Sequence, residues 1–367
     1  MTAIQPSIDL SRFVSLTDFE PLARDVLDPT VFDYIAGGAW DEQSVEEAVA
    51  AWRRRLLRPR VLVDVSQIDP STTMAGHPAS LPVAIAPMAA HGLAHPDAEI
   101  ATARAAAAAG IPFTLSTMSS SSIEAVAAAA PDATRWFQLY AQAEPRRSRS
   151  LVERAEAAGY RAVILTVDLP VLGYRERDLR SGFSLAVPHG NFADDTGPDH
   201  ASHRADRDGG YSIIESDLDQ GLTWPDIATI RSWTSLPVFL KGIVTAEDTR
   251  LAVEHGIAGI VVSNHGARQL DRVVATADVL EEIVDAAGGR TEIWVDGGIR
   301  RGLDVVTAVA LGARGVLVGR PILWALAAAG QAGIERCLAI LRTETVIALA
   351  LLGTPTPADL TRAHVAA

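Results

Sequence analysis

Eight short, apolar, β-rich runs with helix-forming stretches between them constrain this sequence more than any other feature. The runs are residues 83–86, 113–116, 136–140, 162–167, 238–241, 259–263, 292–295 and 315–318. Segments between them, such as 99–109, 149–158, 246–255 and 301–311, are rich in Ala, Glu and Arg and suit amphipathic helices. Alternation of this kind implies parallel strands joined by helical crossovers. Eight strands with a helix after the last predict an α/β chain closed into a (β/α)8 TIM barrel rather than an open doubly wound sheet. Residues 1–80 read as a largely helical cap over one end of the barrel, and 321–352 as closing helices. The whole of 1–367 is expected to form one barrel domain.

One connection breaks the rhythm. Residues 169–225, after the fourth strand, are too long for an ordinary βα loop, and their middle (189–211) is polar, acidic and glycine-bearing. Because barrel chemistry sits at the C-terminal ends of the strands, a lid over that face is expected, with 189–211 the first site of proteolytic nicking. His189, His200 and His203 with Asp194 and Asp195 superficially suggest a metal site, but no tight ligand spacing appears and solvated loop residues are expected.

Composition excludes several functions. A net charge of −13 disfavours wrapping nucleic acid, which needs basic surface to displace counterions. The most apolar stretches, such as 346–352, fall well short of the ~20 residues that span a bilayer. The first ten residues lack the basic and apolar blocks of a secretory leader, and the single cysteine, Cys337, excludes an internal disulfide; a cytoplasmic location is expected. Of 32 Lys and Arg residues, one is lysine, Lys241, so 31 are arginine. A strong arginine bias explains the many, not the exception. A position that keeps lysine under it is a candidate for a compact point charge that a guanidinium cannot replace.

Lys241 ends the fifth strand, and the other strand ends are polar too. They read Pro87-Met88-Ala89, Ser116-Thr117-Met118, Gln138-Leu139-Tyr140, Thr166-Val167-Asp168, Lys241-Gly242, a sixth end running Ser263 to Arg268, Asp296 to Arg300, and Gly319-Arg320. Glycines at the last two ends let backbone N–H groups close on a phosphate that Arg300 and Arg320 neutralise. No Gly-x-Gly-x-x-Gly opens a helix, so a mononucleotide or a phosphorylated substrate is expected rather than a dinucleotide. A lone histidine is usually a satisfied core residue. His265, however, sits at a strand end three residues before Arg268, with Asp168 available to orient it, which suits a general base beside an anion. Arg175 and Arg268, with Tyr34 and Tyr140, can clamp a carboxylate.

Four segments carry a resemblance to the FMN-dependent 2-hydroxy acid oxidase/dehydrogenase family, which includes glycolate oxidase, lactate oxidase and mandelate dehydrogenase. They are Ser263-Asn264-His265-Gly266-Ala267-Arg268-Gln269-Leu270, Asp296-Gly297-Gly298-Ile299-Arg300-Arg301-Gly302, Leu317-Val318-Gly319-Arg320-Pro321 and Trp136-Phe137-Gln138-Leu139-Tyr140. The likeness extends over roughly 32–352. It implies that His265 takes a proton from substrate with Asp168 supporting it and Tyr140 beside them. It implies that Tyr34, Arg175 and Arg268 hold the carboxylate, with Met118 on the substrate side chain. For FMN it implies contacts from Pro87, Met88, Ala89, Ser116, Gln138, Thr166 and Ser263 around the ring. Lys241 would then meet negative charge at the N1/O2 edge, Asp296 the ribityl chain, and Gly298, Arg300, Gly319 and Arg320 the phosphate.

Departures from the family pattern sharpen the expectation. The 80 residues before the barrel leave no room for a haem domain, and the acidic fourth loop lacks the apolar segment of membrane-bound members. Molecular oxygen (O2) is therefore the expected acceptor, giving a 2-keto acid and hydrogen peroxide, with a dehydrogenase using a quinone or other acceptor as the alternative. Ala89 resembles oxidases rather than the monooxygenase-like lactate enzymes, and the stretch Ala89 to His95 is most similar to lactate oxidase. Met118 stands where glycolate oxidases have a bulky aromatic, and Tyr174 replaces a common arginine. A flexible thioether accepts longer or aromatic side chains, so lactate-like and mandelate-like substrates are both expected. A homo-oligomer, tetramer or octamer, is implied by the same resemblance.

Overall fold

The computed structural model describes residues 8–183, 185, 189–192 and 217–366. About half of the expected lid (169–225), including all of its middle stretch 189–211 beyond residue 192, lies outside them. Two extra strands, β1 (Thr72–Met74) and β2 (His77–Ala79), precede the barrel. The eight predicted runs form β3 (Val83–Ile85), β4 (Phe113–Ser116), β5 (Arg135–Leu139), β6 (Val163–Thr166), β7 (Val238–Ile243), β8 (Gly259–Val262), β9 (Glu292–Val295) and β10 (Gly315–Val318). They close in sequence order, all parallel, with β10 returning to β3 through the Val316–Val83 register. Helices α1 (Phe19–Val26), α2 (Pro29–Ala36) and α3 (Gln43–Arg54) precede the barrel. Outside it run α4 (Ala98–Ala109), α5 (Ile123–Ala129), α6 (Pro145–Ala157), α7 (Glu176–Ser181), α8 (Asp226–Arg231), α9 (Ala246–Glu254), α10 (Thr276–Ala287) and α11 (Gly302–Ala310). The closing segment α12 (Arg320–Leu352) is two helical stretches, as expected, joined at a break where Ala329 (φ −155°) and Gly330 (φ +58°) leave helical geometry.

Strand alternation sorts each run into an outward face under the helices and an inward face that fills the barrel. The inward layer is Ala84, Trp136, Ile164, Phe239, Val261, Trp294 and Leu317. Trp294 lies flat between two other rings, 4.4 Å from Trp136 and 4.1 Å from Phe239. Truncating any of the three to alanine would cost ~3–5 kcal/mol, because nothing can collapse into a space walled by strands.

The N-terminal segment covers both ends of the barrel, not one. Met74 of the β1–β2 hairpin joins the inward cluster, and Ala75 N–H donates to Glu292 Oε2 at the start of β9 (3.2 Å), so the hairpin plugs the bottom. Helix α3 lies over the opposite end, where Trp52 Nε1 donates to Gly297 O (2.8 Å) and Ser44 N to Asp271 Oδ1 (2.9 Å). The hairpin was hidden in the sequence because each strand is three residues long and carries no alternation.

Candidate active site

The period that fills the barrel also builds the site above it. Two residues beyond the inward Trp136, Ile164, Phe239, Val261, Trp294 and Leu317 stand Gln138, Thr166, Lys241, Ser263, Asp296 and Gly319. With Ser116 on β4, these polar groups bond to one another across neighbouring strands. Ser116 Oγ donates to Gln138 Oε1 (3.1 Å), and Gln138 Nε2 donates to Thr166 Oγ1 (3.0 Å). Lys241 Nζ donates to Ser263 Oγ (2.9 Å) and lies 3.3 Å from Asp296 Oδ2. Asp296 Oδ1 is buried with no partner among the described residues.

His265, Asp168 and Tyr140 come together as expected. His265 Nδ1 lies 2.7 Å from Asp168 Oδ1 and its Nε2 lies 3.3 Å from the Tyr140 hydroxyl. A carboxylate at Nδ1 fixes the proton there and leaves the lone pair on Nε2, which accepts from Tyr140. Burial lowers the imidazole pKa; Asp168 opposes that shift, and the charges of Lys241 and Arg175 reinforce it. The ring is therefore neutral at neutral pH. Burial also pushes the Asp168 carboxyl up, but His265 and Lys241 outweigh it and the carboxyl stays below its usual range. The Tyr140 hydroxyl is raised, by burial first and then by Asp168, and remains a protonated donor.

Gly242 makes this arrangement fit. A bulge after Lys241 places Gly242 at φ +115°, and a Cβ there would lie 2.6 Å from both Cβ and Cγ of Asp168. Gly242→Ala therefore has two costs, the left-handed backbone and the displaced carboxylate. We expect at least about a tenfold loss of kcat, with a Tm lower by a few degrees, since orienting an imidazole is worth more than that in comparable triads. Unchanged turnover would show that the Asp168 position does not matter.

The arginines assemble around the C-terminus of α2. Arg268 NH1 donates to Tyr34 O (2.6 Å) and Gly37 O (2.9 Å), and its guanidinium lies over the Tyr34 ring at 4.8 Å. Arg320 donates from Nε to Ile35 O (3.0 Å) and from NH2 to Gly37 O (2.7 Å). The carbonyl end of a helix is negative, and here it orients two guanidiniums that have no acid partner among the described residues. Arg175 Nε donates to Arg268 O (3.1 Å) and its NH2 to Gln269 Oε1 (3.2 Å). Burial drags Arg320 down to about 9, helped by the charges of Arg268, Arg300 and Arg175, and burial also lowers Arg300. A buried cluster of cations this dense is completed by anions.

The two ends expected to take a phosphate differ. Gly319 stands before α12 with only Met88 Sδ (3.6 Å) and Ala86 Cβ (3.9 Å) near a would-be Cβ, so a helix N-terminus is open beside Arg320. At Gly298 (φ +77°) the missing Cβ is filled from the protein itself, by Ala48 O at 1.9 Å, so this glycine is required to seat α3. Arg300 lies over the Trp324 ring at 5.2 Å. Met118, half-buried, is held by its N–H on Ser116 Oγ (3.1 Å), while Pro87, Met88 and Ala89 follow β3.

Sequence reasoning missed three groups. Gln269 was quoted in a motif but given no task; its Nε2 donates to Asp168 O (3.3 Å) and Val171 O (2.8 Å) while its Oε1 accepts from Arg175. Its place directly after Arg268 was the only signal the sequence offered. The α2 carbonyls gave none, since any residue supplies a carbonyl. Glu99, fully buried, was read only as part of a helix.

Fold and site define a barrel enzyme built to hold a phosphorylated cofactor and a carboxylate substrate beside a neutral imidazole. The chain belongs to the FMN-dependent dehydrogenase family, whose model matches residues 23–367. It is 47% identical over 357 residues to glycolate oxidase 1 of Oryza sativa subsp. indica, covering 97% of this chain and 96% of the rice protein. It is 46% identical to glycolate oxidase of Spinacia oleracea over the same length, with the same coverage. A crystal structure of mandelate oxidase superposes with a TM-score of 0.88 at 44% identity, covering 96% of this chain and 98% of that one. The chain is thus an FMN-dependent enzyme that oxidises a 2-hydroxy acid. Its residues fit the cofactor. Open Asp296 Oδ1 suits a ribityl hydroxyl, the Ser116–Gln138–Thr166 row and Lys241 a polar ring edge, and Arg320, Arg300 and the α12 N-terminus a phosphate. Among the described residues, no helix is long and apolar enough to cross a membrane.

Proposed function

We propose that the enzyme oxidises (S)-2-hydroxy acids of lactate size and larger to 2-keto acids, with molecular oxygen as acceptor and hydrogen peroxide as second product. The observation that carries this reading is the Nε2 lone pair of His265, 3.3 Å from the Tyr140 hydroxyl, with Asp168 behind it and two guanidiniums beside it. Arg175 and Arg268 bind the carboxylate, and Tyr34 closes over it. His265 Nε2 takes a proton from the hydroxyl-bearing centre, and Asp168 stabilises the imidazolium that results. FMN, when bound, would supply the acceptor for the two electrons and one proton that leave the substrate beyond the proton taken by His265. Lys241 offsets negative charge at the ring, while Asp296, Arg300 and Arg320 hold the chain and phosphate. Met118, flexible and apolar, faces the substrate side chain and suits lactate-like or mandelate-like groups.

Oxygen as acceptor is supported by relatives named as oxidases, the rice and spinach proteins and mandelate oxidase. The acidic chain and its buried thiol, Cys337, support a cytoplasmic enzyme, and we place it in a homo-oligomer of four or eight copies, which sedimentation checks. The test of function is optical. The purified protein is yellow, bleaches on anaerobic addition of (S)-lactate or (S)-mandelate, and regains its colour promptly in air. Bleaching without prompt recovery would assign a dehydrogenase. A flavin that neither acid bleaches would overturn the reading.

A further inference from the structure

Glu99 is the second residue of α4, a helix otherwise made largely of alanine, and it is 0% exposed. Filling that position would need no charge, and desolvating a carboxylate costs several kcal/mol, roughly, unless its lone pairs are satisfied. The partners are all backbone. Oε1 accepts from His91 N (3.0 Å) and Ser120 N (2.9 Å), and Oε2 from Ser121 N (3.0 Å). No ion pair involves Glu99 among the described residues, and burial lowers the pKa of the nearby His91 imidazole despite the opposing pull of the Glu99 charge.

These three amides belong to two different loops. His91 follows Met88 and Ala89 at the end of β3, whereas Ser120 and Ser121 follow Met118 at the end of β4. Ala90 N–H donates to Met118 O (3.0 Å) and Gly92 N–H to Ser120 Oγ (3.0 Å), so the loops touch directly above the carboxylate. Ala90 holds a left-handed conformation (φ 53°, ψ 53°), which an L-residue keeps only where neighbouring bonds impose it. Helix α4 grips the first loop a second time through His91 Nδ1 and Thr102 Oγ1 (2.9 Å).

We infer that Glu99 is a positioning residue that fixes the separation of the cofactor-side loop (Met88, Ala89) from the substrate-side loop (Met118), and so sets the room left for the substrate side chain. The inference rests on the substrate class proposed above.

Glu99→Gln tests it with little change in shape. Its amide can accept two of the N–H groups, but its NH2 must face the third. The holoenzyme keeps its FMN, its visible spectrum and a Tm within a few degrees of the native protein. Its kcat/KM falls unevenly, so that the ratio for (S)-mandelate over (S)-lactate moves by about tenfold or more. In a Met118→Ala background the same substitution moves the ratio by less than about threefold, because the two act through one loop. Glu99→Asp, which keeps the charge but draws it back toward the helix, shifts the ratio in the same direction and serves if the glutamine variant does not fold. An equal loss for both acids, an unmoved ratio, or full additivity with Met118→Ala would overturn the inference. Should the native enzyme oxidise neither acid, the functional reading fails. The Glu99 ratio is then taken from dissociation constants of acetate and phenylacetate, followed by the flavin spectrum.

Discussion

His265→Ala yields a folded, yellow enzyme whose flavin is reduced by substrate roughly 10^2–10^4-fold more slowly than in the native protein, the range expected for losing a positioned general base. The flavin should stay because its expected contacts lie elsewhere, on the inward residues two places above the barrel-filling layer. The fold should tolerate the change, since His265 contributes a side chain at a loop and no core packing, although its φ of +59° already makes the backbone strained. Stopped-flow reduction separates this from substrate binding, which the arginines retain. The pH dependence of kcat/KM follows with a definite sign. The base works when neutral, and burial holds its pKa below the ordinary 6.5, so the acid limb lies below pH 6.5. Asp168→Asn removes the one neighbour that pulls this pKa upward, so the limb moves further toward acid while the rate falls. An acid limb at or above 6.5 in the native enzyme, or near-normal reduction of the alanine variant, would remove the base assignment.

Much of this site was legible because strand geometry is periodic. The sequence showed polar residues at the strand ends, Gln138, Thr166, Lys241, Ser263 and Asp296 among them. Strand alternation then explains why they share one face two places beyond the inward layer. His265 and Asp168 were legible as a pair because strand ends four and six converge on the same mouth. What escaped has a common physical cause. The α2 carbonyls that orient Arg268 and Arg320 are backbone groups, and a sequence does not record where a carbonyl points. Gly242 and Gly298 look alike as letters, yet one makes room for the Asp168 side chain and the other for the Ala48 carbonyl. The β1–β2 hairpin is too short to show a period, so its plug at the barrel floor was read as part of a one-sided cap. Glu99 was invisible because a carboxylate on a helix is ordinarily solvated, and only tertiary structure reveals three amides waiting for it.

Lys241→Arg keeps the charge and should still fail. The residue is 4% exposed, and its ammonium sits between Ser263 Oγ at 2.9 Å and Asp296 Oδ2 at 3.3 Å. An ammonium is a compact point charge whose three donors turn to suit their acceptors, whereas a guanidinium is a planar fork with a fixed spread. Held between Ser263 and Asp296 at a strand end of a closed barrel, the larger group has only two ways to yield. It either displaces Asp296, whose second oxygen is the open acceptor suited to the ribityl chain, or swings out of the mouth and takes the positive charge away from the ring. Both outcomes weaken the same step. We expect flavin reduction to slow by roughly 10^2–10^3-fold, the usual scale for misplacing one preorganised charge, with measurable loss of FMN on dialysis. Lys241→Met separates the two causes, since it preserves the stem and removes only the charge. If methionine retains FMN better than arginine while reducing it as slowly, arginine's defect lies in its shape and the rate depends on charge held at that point. Native behaviour of the arginine variant would mean that the single lysine among 32 basic residues survives by chance.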